Sequence, residues 1–377
     1  MLFSEVVGQK LIIEKLKYFS IQEKIPHALL FTGSEGVGKL STALAFAQFI
    51  NCEKPSAKDS CNVCPSCHKY SHLIHPDLHF VFPIYKGNKS YAICDDFIQE
   101  WRNFLLLSTY FKSSQWYEQV AEDKGQPIIY ADEAIEIIKK LSIKNYEAKY
   151  KVIIVYQPEK MHIATANKLL KVLEEPPAST LFILISSQPE LLLSTIVSRC
   201  QVVKFPIVDD ISLKNFLKEK FPQYNEQDII QSVLLANGSV PEAIQILEEN
   251  ENIKIYLDLY IRMARLAYEI KHKKTKTEDL IKWVYEVNQL SKENQKAFLV
   301  YSLRLTRDNF LINSNLKHIV SQTKEEEKFS EKFYNFMPYN NSFETYKILS
   351  NSLFHLERNG NSRIIFTDLI YQISNIF

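Results

Sequence analysis

Residues 33–41 read "GSEGVGKLS", which nearly matches the phosphate-binding loop pattern G-x-x-x-x-G-K-[ST]. Such a loop binds phosphate through backbone N–H groups at a helix N-terminus and through the charge of its lysine. Four residues carry that chemistry here: Gly33, Gly36, Gly38 and Lys39. The position of the Mg²⁺-binding hydroxyl holds Leu40, and Ser41 comes one residue late. The pattern predicts a degenerate phosphate loop; the alternative is a glycine turn that only joins a strand to a helix.

The loop lies between an apolar run and a stretch with helical spacing, so it connects a strand to a helix. Three further runs are typical of buried strands, at residues 151–156, 180–186 and 200–205. A helix that stops at Pro176 separates the first two of these. Apolar runs that alternate with helices are typical of a parallel sheet covered on both faces. We therefore predict an α/β domain over residues 1–205.

The remaining chain divides into an insertion and two helical parts. Residues 78–127 are aromatic and irregular, and we predict a peripheral insertion that contains a loop and a helix pair. Its large aromatic side chains either pack locally, which is favoured, or form a partner surface: Trp101, Phe104, Trp116 and Tyr117. Glycine and proline positions bound a small helical unit at 206–249. Residues 250–377 have the apolar spacing of a helical bundle.

The charges of the chain are nearly balanced, with 45 Lys and Arg against 44 Asp and Glu and a net charge of +1. No long-range basic field attracts nucleic acid, so any DNA contact is local or shared with partners. The sequence shows neither a signal-peptide pattern nor a run of about 18 apolar residues. We therefore expect a cytoplasmic protein without membrane contact.

Four of the six cysteines crowd into one short stretch at residues 52–67: Cys52, Cys61, Cys64 and Cys67. In a cytosolic chain such crowding favours a metal site over disulfides. Two-residue gaps let thiolates converge on one centre, and four thiolates complete the tetrahedral shell of a structural Zn²⁺ ion. An iron–sulfur centre is the alternative, although the C-x₃-C-P continuation of the ferredoxin pattern is missing. The pattern predicts structural zinc.

ATP hydrolysis needs a second element, an Asp and usually a Glu at the end of the next core strand. In "VIIVYQPEK" those positions hold Tyr156 and Gln157, and we expect Glu159, two residues further on, to point elsewhere. Together with Leu40, both protein contacts to Mg²⁺ are then missing, which removes a large part of the transition-state stabilisation. We expect no independent ATPase activity and weak or no binding of ATP or ADP.

Several strings, in their order along the chain, resemble the subunits of the bacterial DNA polymerase III clamp loader, an AAA+ assembly. These are "FSEVVGQKLIIEKL" (3–16), "IPHALLFTGSEGVGK" (25–39), the cysteine module, "HPD" (75–77), "ANKLLKVLEEPP" (166–177) and "SRC" (198–200). The resemblance covers most of residues 1–205 and implies an AAA+ phosphate-loop domain there. It also implies that residues 206–249 are the helical lid and residues 250–377 the collar that joins subunits.

Two subunit types of this family share the plan. The motor type (gamma/tau) has an intact phosphate loop and the Asp-Glu pair, whereas the delta-prime type commonly lacks one or both. Leu40, Tyr156 and Gln157 indicate the delta-prime type, and no arginine follows Gly238 and Ser239, where the motor type has one. The resemblance implies a component of the DNA polymerase III holoenzyme, a DNA-directed DNA polymerase and hence a nucleotidyltransferase. Its partners would be the motor and delta subunits and, through the assembly, the sliding clamp and primed DNA.

The resemblance also assigns a role to Arg199. In the family, the S-R-C arginine reaches the ATP of the neighbouring motor subunit as an arginine finger. The alternative is a surface arginine that caps the preceding helix. For the whole chain, one alternative is a motor-type ATPase, in which Ser41 and Glu159 replace the missing ligands. Another is a metal-stabilised scaffold without a role in replication.

Overall fold

The computed structural model describes residues 1–87, 91–120, 126–248, 250–272, 277–320 and 322–376. The chain forms two compact units. The first contains Met1–Gln223 and Ala236–Ile244, and the second contains Tyr224–Leu235 and Gln245–Phe377. Parts of the predicted lid at 206–249 fall in each unit, so its boundaries remain predictions.

The first unit contains a parallel sheet with the strand order β2-β3-β4-β1-β5. The strands are β1 Ala28–Thr32, β2 Leu78–Val81, β3 Lys151–Tyr156, β4 Thr180–Ser186 and β5 Gln201–Lys204. Every residue of the three central strands is buried, as expected for parallel strands covered on both faces. The predicted α/β fold class is confirmed.

Nine helices of the described chain lie wholly within the first unit: α1 Lys10–Ile21, α2 Lys39–Ile50, α3 Pro65–Ser71, α4 Ile98–Leu107, α5 Ser113–Val120, α6 Glu133–Ser142, α7 Ile163–Glu174, α8 Ser194–Val197 and α9 Asp210–Lys220. The glycine loop leads directly into α2, all of whose residues are buried. The loop therefore lies at the carboxyl end of a central strand, where parallel α/β sheets bind their ligands.

The prediction that the insertion begins at residue 78 is wrong for β2. Leu78–Val81 pairs with β3 in parallel register, from Leu78 opposite Val152 to Val81 opposite Val155. The strand is only four residues long, and the aromatic stretch that follows it obscures its end. Beyond β2 the predicted helix pair is present as α4 and α5. Residues 88–90 and 121–125 of the insertion lie outside the described residues.

Local packing of the aromatic side chains in the insertion is confirmed. Trp101 and Trp116 are fully buried, and their rings meet edge to face with centroids 4.7 Å apart. Phe82 stacks on Trp101 at 4.5 Å. The Trp116 indole donates a hydrogen bond to the carbonyl oxygen of Pro83 at 2.8 Å. The insertion thus has a small aromatic core of its own beside the sheet.

The second unit is helical throughout its described residues. Its helices are α10 Glu226–Leu235, α12 Asn250–Lys271, α13 Thr277–Gln289, α14 Lys292–Asn313, α15 Lys324–Phe333, α16 Tyr339–Glu357 and α17 Ser362–Ser374, while α11 Val240–Glu248 begins in the first unit. Trp283, Phe298 and Phe366 form the centre of its core. The predicted helical character of this region is confirmed. None of the described helices combines the length and the apolar character that a membrane span requires.

Candidate functional site

The glycine loop between β1 and α2 has backbone angles that favour glycine. The φ angles are 142° at Gly33, 80° at Gly36 and 91° at Gly38. Gly36 also permits a close approach, since a Cβ atom there would lie 2.3 Å from Ser239 Oγ and 2.5 Å from Pro241 Cδ. The loop is therefore in direct contact with the start of α11.

The Lys39 side chain is folded back into the loop. Its Nζ atom donates to the carbonyl oxygens of Gly33 at 2.5 Å and Ser34 at 2.6 Å, and to Ser187 Oγ at 3.0 Å. Only 6% of Lys39 is exposed, and this burial lowers the pKa of its ammonium group to about 8, against the opposing influence of the Glu35 and Glu159 carboxylates. In a phosphate loop this ammonium group would contact a phosphate. Here it is hydrogen-bonded to oxygen atoms of the loop and of Ser187, just after β4.

The side chains at the two predicted Mg²⁺ positions are buried and carry no carboxylate. Leu40 is 5% exposed and Tyr156 is 8% exposed. The Tyr156 ring packs against Trp101 and Phe111, with centroids 5.5 Å and 5.6 Å away. Mg²⁺ binds oxygen ligands in near-octahedral geometry. Aliphatic and aromatic groups therefore stand where a hydrated cation needs oxygen atoms.

Glu159 lies in this site, so the expectation that it points elsewhere is wrong. Gln157 has a left-handed φ angle of 54°, and a short 3₁₀ turn follows at Pro158–Lys160. The turn brings Glu159 Oε1 to 3.4 Å from the backbone N–H of Ser187, which donates to it. Burial raises the pKa of the Glu159 carboxyl, and its buried Oε2 atom has no hydrogen-bond partner among the described residues. A left-handed residue changes the chain direction in a way that strand spacing does not indicate.

Residues of the insertion fill the space in front of the loop. Thr109, Tyr110 and Phe111 line the pocket together with loop residues and the ends of β3 and β4. The remaining cavity measures about 30 Å³, which is room for about two water molecules. Thr109 Oγ1 lies 2.7 Å from Ser41 Oγ and hydrogen-bonds to it. The Ser41 hydroxyl is therefore already hydrogen-bonded to a residue of the insertion.

Glu35 is a functional signal that the sequence analysis missed. It places a carboxylate inside a loop whose expected ligand is an anion. The carboxylate accepts a hydrogen bond from the Ser113 backbone N–H at 2.7 Å and another from the Ser113 hydroxyl. An acidic residue in such a loop could have indicated an intramolecular partner, although nothing in the sequence identified Ser113 as that partner.

Arg199 lies just after α8 and is bound within its own chain. Its Nη1 atom donates to the carbonyl oxygen of Thr195 at 2.9 Å, and its Nη2 atom forms an ion pair with Glu174, the last residue of α7. The side chains of Arg199 and Glu174 are 31% and 50% exposed. The Thr195 contact is that of a helix-capping arginine, the alternative considered above. The ion pair lies at the surface, within reach of another molecule.

The structure brings the four predicted metal ligands together. The Sγ atoms of Cys52, Cys61, Cys64 and Cys67 all lie within 4.8 Å of one another, and those of Cys61 and Cys67 are 3.9 Å apart. Zn–S bonds of about 2.3 Å in a tetrahedron place sulfur atoms roughly 3.8 Å apart, so the cluster fits a single tetrahedral ion. Backbone N–H groups donate to three of the sulfurs, those of Cys52, Cys61 and Cys64, which stabilises thiolates.

The cysteine module is tied to the start of the chain. Asp59 accepts hydrogen bonds from the backbone N–H groups of Phe3 at 3.1 Å and Ser4 at 2.9 Å. Cys64 caps α3 through its sulfur, and Cys67 follows within that helix. A metal ion bound at the cluster would therefore fix both α3 and the N-terminal segment.

Comparison with known proteins points to one family. The family model described as "DNA polymerase III, delta subunit" matches residues 8–209. The tau subunit of DNA polymerase III from Bacillus subtilis (strain 168) is 28% identical over 251 residues, which are 66% of this chain and 37% of that protein. The delta' subunit from the same organism is 28% identical over 267 residues, 70% of this chain and 65% of that protein. This chain thus spans less than two thirds of the length of either relative.

A DNA polymerase III gamma-subunit-related protein from Thermotoga maritima aligns with a TM-score of 0.43 at 14% identity, covering 96% of this chain and 98% of that chain.

Proposed function

Because the chain belongs to the clamp-loader AAA+ family of DNA polymerase III, we propose that it is a subunit of the delta-prime type, which takes part in clamp loading without hydrolysing ATP itself. The observation that carries this proposal is the pair of buried side chains, Leu40 and Tyr156, at the positions of the Mg²⁺ ligands. Metal-assisted charge neutralisation supplies several kcal/mol in phosphoryl transfer. Leu40 offers no oxygen atom for the metal, and the buried Tyr156 hydroxyl is hydrogen-bonded to the Ser113 hydroxyl at 3.1 Å.

In this proposal Arg199 acts on the nucleotide of a neighbouring motor subunit. A guanidinium group binds phosphate oxygens through two parallel N–H donors and stays charged at all physiological pH values. Support comes from its place in the S-R-C tripeptide and from its partly exposed position after α8. The phosphate of the neighbour would replace Glu174 as the ionic partner of Arg199.

The other parts of the chain have supporting roles in the proposal. Cys52, Cys61, Cys64 and Cys67 bind a structural Zn²⁺ ion, which holds the cysteine module in place. Residues 250–377 form the collar that contacts the gamma/tau-type motor and delta subunits. The assembly as a whole contacts the sliding clamp and primed DNA in the cytoplasm. This agrees with the net charge of only +1, because such a chain attracts DNA weakly by itself.

Reconstitution tests this proposal. The chain is combined with candidate motor and delta subunits, and ATPase activity is measured for the single chain and for the assembly with clamp and primed DNA. We expect no Mg²⁺-dependent turnover by the single chain. In the assembly, Arg199→Ala should lower the DNA-stimulated ATPase by about 10³-fold or more at the affected site, as for other arginine fingers.

Lys204→Ala is a matched control, because Lys204 is an exposed cation on the nearby edge strand β5. It should leave the ATPase unchanged. Both variants must assemble as the unmodified chain does. Normal ATPase and clamp loading with Arg199→Ala would refute the arginine-finger role and favour a structural scaffold.

One observation favours a second candidate, a motor-type ATPase. Glu159 lies beside the loop with a buried, unpartnered Oε2 atom within the described chain, where a carboxylate can orient water. In that case the single chain hydrolyses ATP and Glu159→Gln abolishes the activity. An assembly whose ATPase activity is unchanged by Glu159→Gln in this chain excludes this candidate.

A further inference from the structure

The insertion contributes one side chain directly above the phosphate loop. Tyr110 is 8% exposed, and a Cβ atom at Gly38 would lie only 3.1 Å from its Oη atom. Tyr110 Oη accepts a hydrogen bond from the backbone N–H of Val7 at 2.8 Å, which fixes the ring from the other side. Its ring also contacts Phe216 on α9, with centroids 5.9 Å apart. The phenol is thus held firmly at the mouth of the loop.

The loop is also paired electrostatically with the insertion. A phosphate loop normally offers N–H groups to an anion. Here the loop carries its own anion, Glu35, and Ser113 at the start of α5 supplies the N–H and O–H groups that bind it. The N-terminus of a helix is a favourable place for a carboxylate. The insertion therefore satisfies a group that would otherwise repel a phosphate ligand.

The same segment is bonded to the start of α11. Lys112 forms an ion pair with Glu242, and the backbone N–H of Val240 donates to the carbonyl oxygen of Gly36 at 3.1 Å. Ser239 packs on Gly36 as described above. Loop, insertion and the start of α11 form one connected set of contacts within the first unit.

We propose that Ser108–Ser113 is a built-in occupant of the phosphate loop, which takes the place of a nucleotide and holds the loop closed against the start of α11. The remaining cavity of about 30 Å³ is far smaller than the roughly 300–1,000 Å³ of pockets that bind small ligands. A nucleotide can enter only when this segment withdraws. The inference holds whether or not Arg199 acts in trans, because it concerns only the first unit.

Nucleotide binding by the full chain tests the proposal. Binding of ATP and ADP is measured by calorimetry for the unmodified chain and for the double variant Thr109→Ala, Tyr110→Ala, with circular dichroism to verify folding. We expect an apparent dissociation constant at least about tenfold lower in the variant, because apparent affinity scales with the fraction of molecules whose pocket is open. The gained binding should disappear when Lys39→Ala is added. No turnover should appear, since Leu40 and Tyr156 remain.

Leu107→Ala is the matched control, because Leu107 belongs to the insertion but is 86% exposed. It should leave nucleotide binding unchanged. Should the double variant fail to fold, Lys112→Ala with Ser113→Ala loosens the segment at partly exposed positions and leaves the aromatic core intact. Tight nucleotide binding by the unmodified chain would overturn the proposal. So would folded variants that bind no better, or binding that does not require Lys39.

Discussion

Lys39 is a buried ammonium group that the surrounding oxygen atoms solvate only in part. Its pKa is lowered to about 8 by burial, whereas an unfolded chain has a lysine pKa near 10.5. Between these two values the unfolded state binds more protons than the folded state. The contribution of Lys39 to stability is therefore least favourable below about pH 8 and improves as the pH rises toward about 10.5.

Comparison with Lys39→Met isolates this contribution. Between about pH 7.5 and 9.5, the unmodified chain should gain roughly 2 kcal/mol in its free energy of unfolding relative to the variant. Urea denaturation at both pH values measures the difference. A constant difference between the two proteins would contradict the lowered pKa.

Glu174 binds Arg199 at a helix C-terminus, where a carboxylate is disfavoured by the helix dipole. The ion pair is partly exposed and is worth at most about 1 kcal/mol. If Arg199 acts in trans, Glu174→Gln releases the guanidinium group and should raise the DNA-stimulated ATPase of the assembly, by up to about fivefold at low ATP concentration. Unfolding of the single chain should be nearly unchanged.

Glu175→Gln is the matched control for this prediction. Glu175 is the next residue, is exposed and makes no ion pair within the described residues. Its substitution should leave the ATPase unaltered. A loss of activity with Glu174→Gln would mean that the carboxylate orients Arg199 productively and does not restrain it.

At the scale of elements, the core of the cysteine module consists of its four cysteine side chains. The cluster is surrounded by short turns and α3, and Asp59 links it to Phe3 and Ser4. Small metal modules derive much of their folding free energy from the bound ion. We expect about one Zn²⁺ ion per chain in protein purified without chelators.

Cys67→Ser should abolish the bound zinc, whereas Cys200→Ser, outside the cluster, should retain it. A loss of about 2 kcal/mol in local stability lowers the melting temperature by roughly 4–8 °C. Elemental analysis and thermal unfolding measure both effects. Retention of stoichiometric zinc by Cys67→Ser would contradict the four-cysteine site, and iron in place of zinc would favour the iron–sulfur alternative.

The sequence predicted those elements whose signals are local. Strands β3 and β4 were predicted with their observed ends, because their apolar runs are continuous and bounded by polar residues. β2 was missed because it is short and merges with aromatic residues of the insertion. The cysteine cluster could be predicted because metal geometry restricts the spacing of its ligands.

The contents of the pocket could not be predicted in the same way. The contacts of Tyr110 and Ser113 with the loop join residues that are far apart in sequence, and no periodic pattern encodes such pairs. Glu159 was misplaced because the left-handed Gln157 redirects the chain just before it. Loop contacts of this kind depend on tertiary packing alone.

At the scale of the whole molecule, the near-neutral charge limits the affinity of the single chain for DNA. Affinity for DNA depends mainly on phosphate neutralisation by basic residues, and this chain has a net charge of only +1. We expect the single chain to bind primed DNA weakly, with a dissociation constant no tighter than the roughly 10⁻⁴–10⁻⁶ M of non-specific binding. Fluorescence anisotropy at physiological salt measures it, and nanomolar binding by the single chain would contradict this expectation.

A pocket with room for only about two water molecules would make the first unit insensitive to the nucleotide levels of the cell. Many nucleotide-binding proteins change conformation with the nucleotide that they hold. If Ser108–Ser113 occupies the phosphate loop as proposed, the first unit keeps the same shape whether ATP or ADP predominates in the cell. Fluctuations in adenylate levels would then reach a replication machine only through its other members.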